Sequence, residues 1–225
     1  MRFDDREQAG RLLAGKLGRF EAEHPIVLGL TRGGMPVAFQ VAHVLRAPLD
    51  LIVVRKIDAT GPGVPGSPEM AVGAIAEGGE TFINPTVVRE AGMTAGDTSA
   101  WAEWGAVELA RQVRLYRDRR PPLPLAGRTV IVVDDGVTTG ATACAAGRAA
   151  RQRGAARVVL AAPVVAASAE PHLEGEFDEV VTLETPPQAH ELSEFYQRFD
   201  EVGDGAVLEY LRRAEEETTA EWPAP

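Results

Sequence analysis

Cysteine is nearly absent: Cys144 stands alone, so the chain can form neither an intramolecular disulfide nor a thiolate metal cluster. Long apolar runs are missing too. No stretch approaches the about eighteen residues a membrane-spanning helix needs, and Met1-Arg2-Phe3-Asp4-Asp5 lacks the apolar core of a secretory signal. A soluble, cytoplasmic protein with no membrane partner is the expectation. Positive charge is in deficit, with a formal net charge of −10, which counts against nucleic acid as the main partner. No GxxxxGK[ST] stretch occurs, and no nucleophile–base pair stands out, so kinase and phosphatase readings are weak. What remains is ordinary globular composition: 225 residues, 45% hydrophobic and 25% charged, enough for one sizeable core with a small appendage.

The densest chemistry lies at residues 129–142. Val130 to Val133 are consecutive β-branched apolar residues, the pattern of a strand buried on both faces inside a parallel sheet. Asp134 and Asp135 follow without a gap, then Gly136-Val137-Thr138-Thr139-Gly140, then the Ala-rich run Ala141 to Ala150, which reads as a helix. A small-residue loop opening a helix gathers backbone N–H groups and the positive helix end at one point, a ready anion site. Thr138, Thr139 and Thr142 add hydroxyl donors. The two carboxylates would repel an anion at close range and suit hydroxyls or a metal instead. One ligand that wants both is a sugar phosphate. The bland alternative is a strand–turn–helix with a solvated Asp-Asp turn.

Taken in order, Asp4 or Asp5 can cap a first helix running to about Phe20. Ile26 to Leu30 is a short strand leading into Thr31-Arg32-Gly33-Gly34 and a further helix; alone, that loop is equally a phosphate turn or a plain connection. Leu49 to Val54 is the next strand and ends on Arg55-Lys56, where ligands of open α/β sheets bind; a solvated charge pair is the alternative. Residues 57–68 carry a proline every third residue from Pro62 and read as a mobile loop beside the active centre, a lid that excludes water. Glu69 to Ile75 and Glu80 to Ile83 form a β-hairpin through Gly78-Gly79. Thr98 to about Asp118 is helical. Its Trp101 and Trp104 suit a core or subunit interface, and Arg111, Arg114 and Arg117 a solvated face paired with Glu103 and Glu108, or else a reach toward polyphosphate. Strands at Val158–Val165 and Glu179–Leu183 follow, Pro186-Pro187 marks a break, and Val207 to about Glu217 is a last helix. The fold class expected is α/β, a doubly wound, mostly parallel sheet. A core at 1–184 carries the hairpin and helical insertion at about 57–125, and 185–225 forms a small C-terminal hood and helix.

Val130 to Thr142 resembles the 5-phosphoribosyl-1-pyrophosphate (PRPP) motif of the type I phosphoribosyltransferases. Further segments, Phe3-Asp4-Asp5-Arg6, Gly29 to Gly34, Val54-Arg55-Lys56, Pro68 to Ala74, Tyr116-Arg117, and Phe195-Tyr196 with Phe199, resemble a bacterial subgroup of predicted phosphoribosyltransferases. The resemblance implies transfer of the phosphoribosyl group from PRPP to a nitrogen acceptor with release of pyrophosphate, magnesium as cofactor, and a homodimer. It places Gly136, Val137, Thr138, Thr139, Gly140, Ala141 and Thr142 on the 5-phosphate, and Thr31, Gly33 and Gly34 on pyrophosphate. Asp134 and Asp135 take the ribose and, through substrate and water, the metal, while Arg32, Arg55 and Lys56 stabilise the leaving group. The 188–200 segment would cover the acceptor. Relatives in purine salvage carry an acid where Thr138 stands, which sets that acceptor in doubt, and Gln188-Ala189-His190-Glu191 departs from the pattern expected in the hood. A non-catalytic, PRPP-sensing regulator is the alternative function.

Overall fold

The computed structural model describes residues 2–58, 71–90, 92, 94–118, 120–189 and 191–221. A parallel sheet of five strands runs in the order β2-β1-β6-β7-β8, with β1 Ile26–Leu30, β2 Leu49–Ile52, β6 Thr129–Val133, β7 Arg157–Val164 and β8 Glu179–Glu184. A second, antiparallel sheet holds β3 Val54–Asp58, β4 Ala71–Ala76 and β5 Thr81–Ile83. Helices α1 Arg6–Leu17, α2 Gly34–Leu45, α3 Pro85–Glu90, α4 Ala95–Arg117, α5 Ala141–Gln152, α6 Glu170–Leu173 and α7 Asp204–Glu221 complete the elements named here.

The alternation of strand side chains divides the core in two. Val27, Leu49, Leu51, Ile131, Val133, Val159 and Ala161 pack with α1 and α2 residues such as Leu13, Leu17, Val37 and Val41. Ile26, Leu28, Leu30, Val130, Val132, Val158 and Leu160 pack with the alanines of α5 and with Cys144. Both faces of the sheet are therefore covered, and Val130 to Val133 are all fully buried, as a central strand requires. Burying a side chain of this size stabilises the fold by about 1.5–3 kcal/mol, so β6 fixes where the residues after it emerge. Asp5 caps α1 by accepting from the Gln8 N–H at 2.8 Å, and a 3-10 turn, Gly18–Glu23, continues that helix past Phe20.

Two expectations need correcting. The apolar run Leu49 to Val54 is not one strand. The chain leaves the parallel sheet at Val53, where the Glu77 N–H donates to the Val53 carbonyl at 2.8 Å, and starts β3 of the second sheet. Both halves are buried, so the hydrophobic pattern carries no mark of the change of partner. Moreover β2 is an edge strand, so Arg55 and Lys56 lie on the hairpin sheet and not at the end of a central strand. The second correction concerns Arg117. It is neither solvated nor turned to a ligand, and donates to Asp50 at 2.7 Å, Glu77 at 2.8 Å and the Leu51 carbonyl at 2.8 Å. Burial works against the charged guanidinium, but the hydrogen bonds and charges of Glu77 and Asp50 together outweigh it and hold its pKa above the ordinary value. Arg111 does pair with Glu108 on an exposed face. Most of the expected lid, and the side chains of Trp101, Trp104 and His190, lie outside the described residues.

Candidate active site

The carboxyl ends of β1 and β6 open into a cavity of about 1020 Å³ whose lining includes Thr31, Arg32, Gly33, Lys56 and every residue from Asp134 to Thr142. This is the crevice where open α/β sheets bind ligands. The loop after β6 is pinned to β7: the Val137 N–H donates to the Val164 carbonyl at 2.8 Å, and the Ala166 N–H donates back to Val137 at 2.9 Å. Gly140 turns the chain into α5 with φ 82°, a left-handed conformation that glycine adopts without steric cost. Its N–H group and those of Ala141 and Thr142 thus head a helix, with the partial positive charge that a helix start carries. Among the described residues the hydroxyls of Thr138, Thr139 and Thr142 have no protein partner, so they are available to a ligand.

The loop after β1 meets the acid pair at backbone contact. The Thr31–Arg32 peptide is cis, and α2 opens at Gly34. A Cβ on Gly33 would lie 2.3 Å from Asp135 Oδ2, and one on Gly34 would lie 2.6 Å from the Val133 carbonyl. Neither site has room for a side chain. Two helix starts, of α2 and α5, therefore converge on one cavity with two carboxylates between them.

The carboxylates are not equivalent. Asp135 is buried and its Oδ2 accepts from Arg6 Nε at 2.7 Å. Arg6 also donates to the Asp200 carbonyl at 2.8 Å and lies with its guanidinium carbon 3.7 Å from the centre of the Phe199 ring. The Tyr196 hydroxyl donates to the Asp135 carbonyl at 2.5 Å. One acid is thus tied to the N-terminal helix and the C-terminal hood. Asp134 instead accepts the Asp135 N–H at 2.9 Å. Burial at the strand end and the charge of Asp135 push its carboxyl well above the ordinary range; the Asp135 N–H and Lys56 act against this. Asp134 is the acid left open to the cavity.

Of the expected cations, Lys56 lines the cavity and among the described residues has no ion-pair partner. Arg32 is there too, engaged by Glu201 at 2.8 Å and Asp204 at 3.6 Å. Arg55 is outside that lining and borders an adjoining side hollow of about 140 Å³, which shares Thr31, Arg32 and Lys56 with the main cavity and is completed by Gln112 and Tyr116. The sequence assigns no role to Arg6 or Glu201, and gives Glu191, Leu192 and Tyr196 only a place in the 188–200 cover over the acceptor. The only signal was that Phe3 to Arg6 and Phe195 to Phe199 carried part of the resemblance. Leu192 closes over the loop, since a Cβ on Gly136 would meet its Cδ2 at 2.3 Å.

The sequence profile described as "Phosphoribosyl transferase domain" matches residues 5–194. The chain belongs to the phosphoribosyl transferase family. A protein of two Mycobacterium tuberculosis strains, provisionally named a phosphoribosyl transferase, is 44% identical over 212 residues, 94% of this chain and 47% of the relative. The chain therefore spans about half the length of the curated relatives it matches. The crystal structure of TT1426 from Thermus thermophilus superposes with a TM-score of 0.76 at 39% identity, covering 95% of this chain and 99% of that one. Among the described residues no helix is long and apolar enough to cross a membrane.

Proposed function

We propose that the cavity binds PRPP with magnesium and transfers its phosphoribosyl group to a nitrogen acceptor, releasing pyrophosphate. The observation that carries the reading is the convergence of two helix starts on the acid pair, with unpartnered threonines on one side and Lys56 on the other. In this reading the N–H groups and hydroxyls of Gly136 to Thr142 hold the 5-phosphate, and Asp134 accepts from the ribose hydroxyls. Thr31, Gly33 and Gly34, with Arg32 and Lys56, take the pyrophosphate. Arg55 supports the same leaving group from the adjoining hollow it shares with Thr31, Arg32 and Lys56. The bond from the anomeric carbon to pyrophosphate oxygen breaks, the acceptor nitrogen bonds that carbon, and the acceptor gives up its proton. Charge gathers on the departing phosphate oxygens, where a preorganised donor is worth on the order of 3 kcal/mol.

The donor set suits magnesium. Asp134 is a carboxyl that burial makes reluctant to ionise and that a cation would relieve, while Asp135 keeps one oxygen clear of Arg6. Among the described residues no group of three or more His, Cys, Asp or Glu is placed to cage a metal, which fits an ion carried mainly by substrate oxygens and water. Bound there, magnesium would neutralise charge developing on the pyrophosphate. Gln188, Glu191 and Ser193 of the hood line the remaining space and are the groups offered to the acceptor. Residues 1–184 would form the transferase core and 185–225 the cover, as a homodimer.

Titration calorimetry with magnesium and PRPP tests the site. Asp134→Asn should weaken binding at least tenfold with the fold intact, and unchanged affinity would overturn the assignment. Screening nitrogen nucleophiles for PRPP-dependent pyrophosphate release tests turnover. Tight binding with no release for any acceptor would make the protein a PRPP sensor.

A further inference from the structure

A second cavity, of about 450 Å³, lies at the opposite end of the sheet. Its floor is apolar, formed by Phe39, Ala42, Leu45 and Ala47 with Ala214 from α7, and Pro25 and Pro48 close its sides. Such a volume with an apolar floor and few polar groups suits one small ligand. Six titratable side chains face it: Glu21, His24, His43, Arg46, Arg128 and Glu217. Most are already engaged. His43 Nδ1 lies 2.9 Å from Glu217 Oε2, and Arg128 Nη2 donates to the His24 carbonyl at 2.6 Å. Arg46 is different. It stands just past α2 in a left-handed conformation, φ 49°, which few non-glycine residues adopt. Among the described residues its guanidinium has no partner. Glu21 on the rim disfavours a ligand with more than one negative charge.

The cavity is joined to the catalytic end by two helices. α2 begins at Gly34, against the acid pair, and its last residues, His43 and Leu45, line the second cavity. Twelve residues at about 1.5 Å each put these ends roughly 18 Å apart. α7 begins at Asp204, which holds Arg32 and accepts from the Tyr116 hydroxyl, and ten residues on presents Ala214 to the second cavity. The two helices are clamped to each other. The rings of Phe39 and Tyr210 are 5.4 Å apart, and the Arg213 guanidinium lies 4.3 Å over Phe39. A ligand that wedges Phe39 against α7 therefore acts on the pair of elements that sets Arg32 and the 31–34 loop.

We infer that this cavity is a regulatory binding site for a small apolar monoanion, its hydrophobic body on Phe39, Ala42 and Leu45 and its anionic group on Arg46. The transferase reading enters only in what the far end does; binding here and its transmission do not depend on it. The test uses the full chain and 8-anilinonaphthalene-1-sulfonate, whose fused rings and single sulfonate have the required form. Fluorescence titration should show a saturable site. Arg46→Gln, at an exposed position outside the catalytic machinery, should weaken that site at least tenfold. Amide hydrogen exchange at Thr31 to Met35 should change at least threefold when the probe saturates. Absence of a saturable site, equal affinity in Arg46→Gln, or unaltered exchange at 31–35 would each overturn the inference. Arg46→Lys separates charge from packing: it should keep most of the affinity, and a loss equal to that of Arg46→Gln counts against an anion at this position. Failure of PRPP to bind at the other end would leave these readouts unaffected and would count only against the transferase reading.

Discussion

Replacing Arg6 by methionine isolates the link between the N-terminal helix, the acid pair and the hood. Methionine keeps much of the side-chain volume and removes the charge. The side chains of Arg6 and Asp135 are each only 10% exposed, so solvent cannot take over for a missing partner. At a charge separation of about 4 Å and an effective dielectric of about 20, the attraction is on the order of 4 kcal/mol before the cost of desolvating both ions. Because that cost offsets much of the gain, the pair's net worth is modest, yet breaking it leaves a buried charge alone and should destabilise by about 3–5 kcal/mol. For a chain of this length about 1 kcal/mol corresponds to 2–4 °C in Tm, so the fall should be roughly 6–20 °C.

A double-mutant cycle decides whether the charge pair is responsible. Arg6→Met with Asp135→Asn removes both charges, so the double variant should recover more than half of the loss seen in Arg6→Met alone. Urea unfolding followed by circular dichroism supplies the free energies. An Arg6→Met loss below about 1 kcal/mol, or strictly additive single effects, would refute the reasoning, because Arg6 would then be an ordinary surface cation resting on Phe199.

Three further outcomes are expected. Gly34→Ala should cost about 1–3 kcal/mol and abolish pyrophosphate binding, because its Cβ would meet backbone, the Val133 carbonyl and Asp134 Cα, within 2.9 Å; calorimetry showing wild-type affinity would contradict the contact. Asp134→Asn should raise stability at neutral pH even as it removes ligand binding. A carboxyl pKa raised by folding means the native state holds its proton more tightly than the unfolded chain, so this group's contribution is fullest below the ordinary carboxylate range and is lost as pH rises through the folded value. Comparing Tm of the two proteins at pH 4 and pH 8 checks the sign, and a stabilisation larger at pH 4 would reverse it. Glu201→Gln should free Arg32 from an exposed pair worth about 0.2–1 kcal/mol. Pyrophosphate should then bind up to about fivefold tighter, whereas weaker binding would mean that Glu201 holds Arg32 in its working position.

What could be read from the chain followed from how local the causes were. The strand–acid–loop–helix at 129–142 is written in consecutive residues, since buried β-branched side chains, two acids and small turn residues each act on their own backbone. The same holds for Ile26 to Gly34 and for the hairpin through Gly78 and Gly79, whose φ values of 100° and 96° need glycine. The break at Val53 was hidden because it depends on partners elsewhere. Asp50, set within the apolar run, looks like a fault in a buried strand until Arg117, 67 residues on, arrives to pair with it.

The same distinction explains why half of the site stayed out of reach. The anion loops are backbone features, and glycine and threonine announce them. The division of labour between Asp134 and Asp135 is made by side chains from both ends of the chain: Arg6 from α1, and Tyr196, Phe199 and Asp200 from the hood. Adjacent identical residues in a sequence carry no sign of which will be clamped and which left open. Because Arg6 takes one charge of the pair, the cavity presents at most one negative charge between two helix starts, and not two. A phosphate–ribose ligand can then approach without meeting a doubled repulsion. If Asp135 were instead free, Asp135→Asn would improve pyrophosphate binding on its own; with Arg6 already balancing it, the same substitution should leave Arg6 unpaired and disturb the hood first.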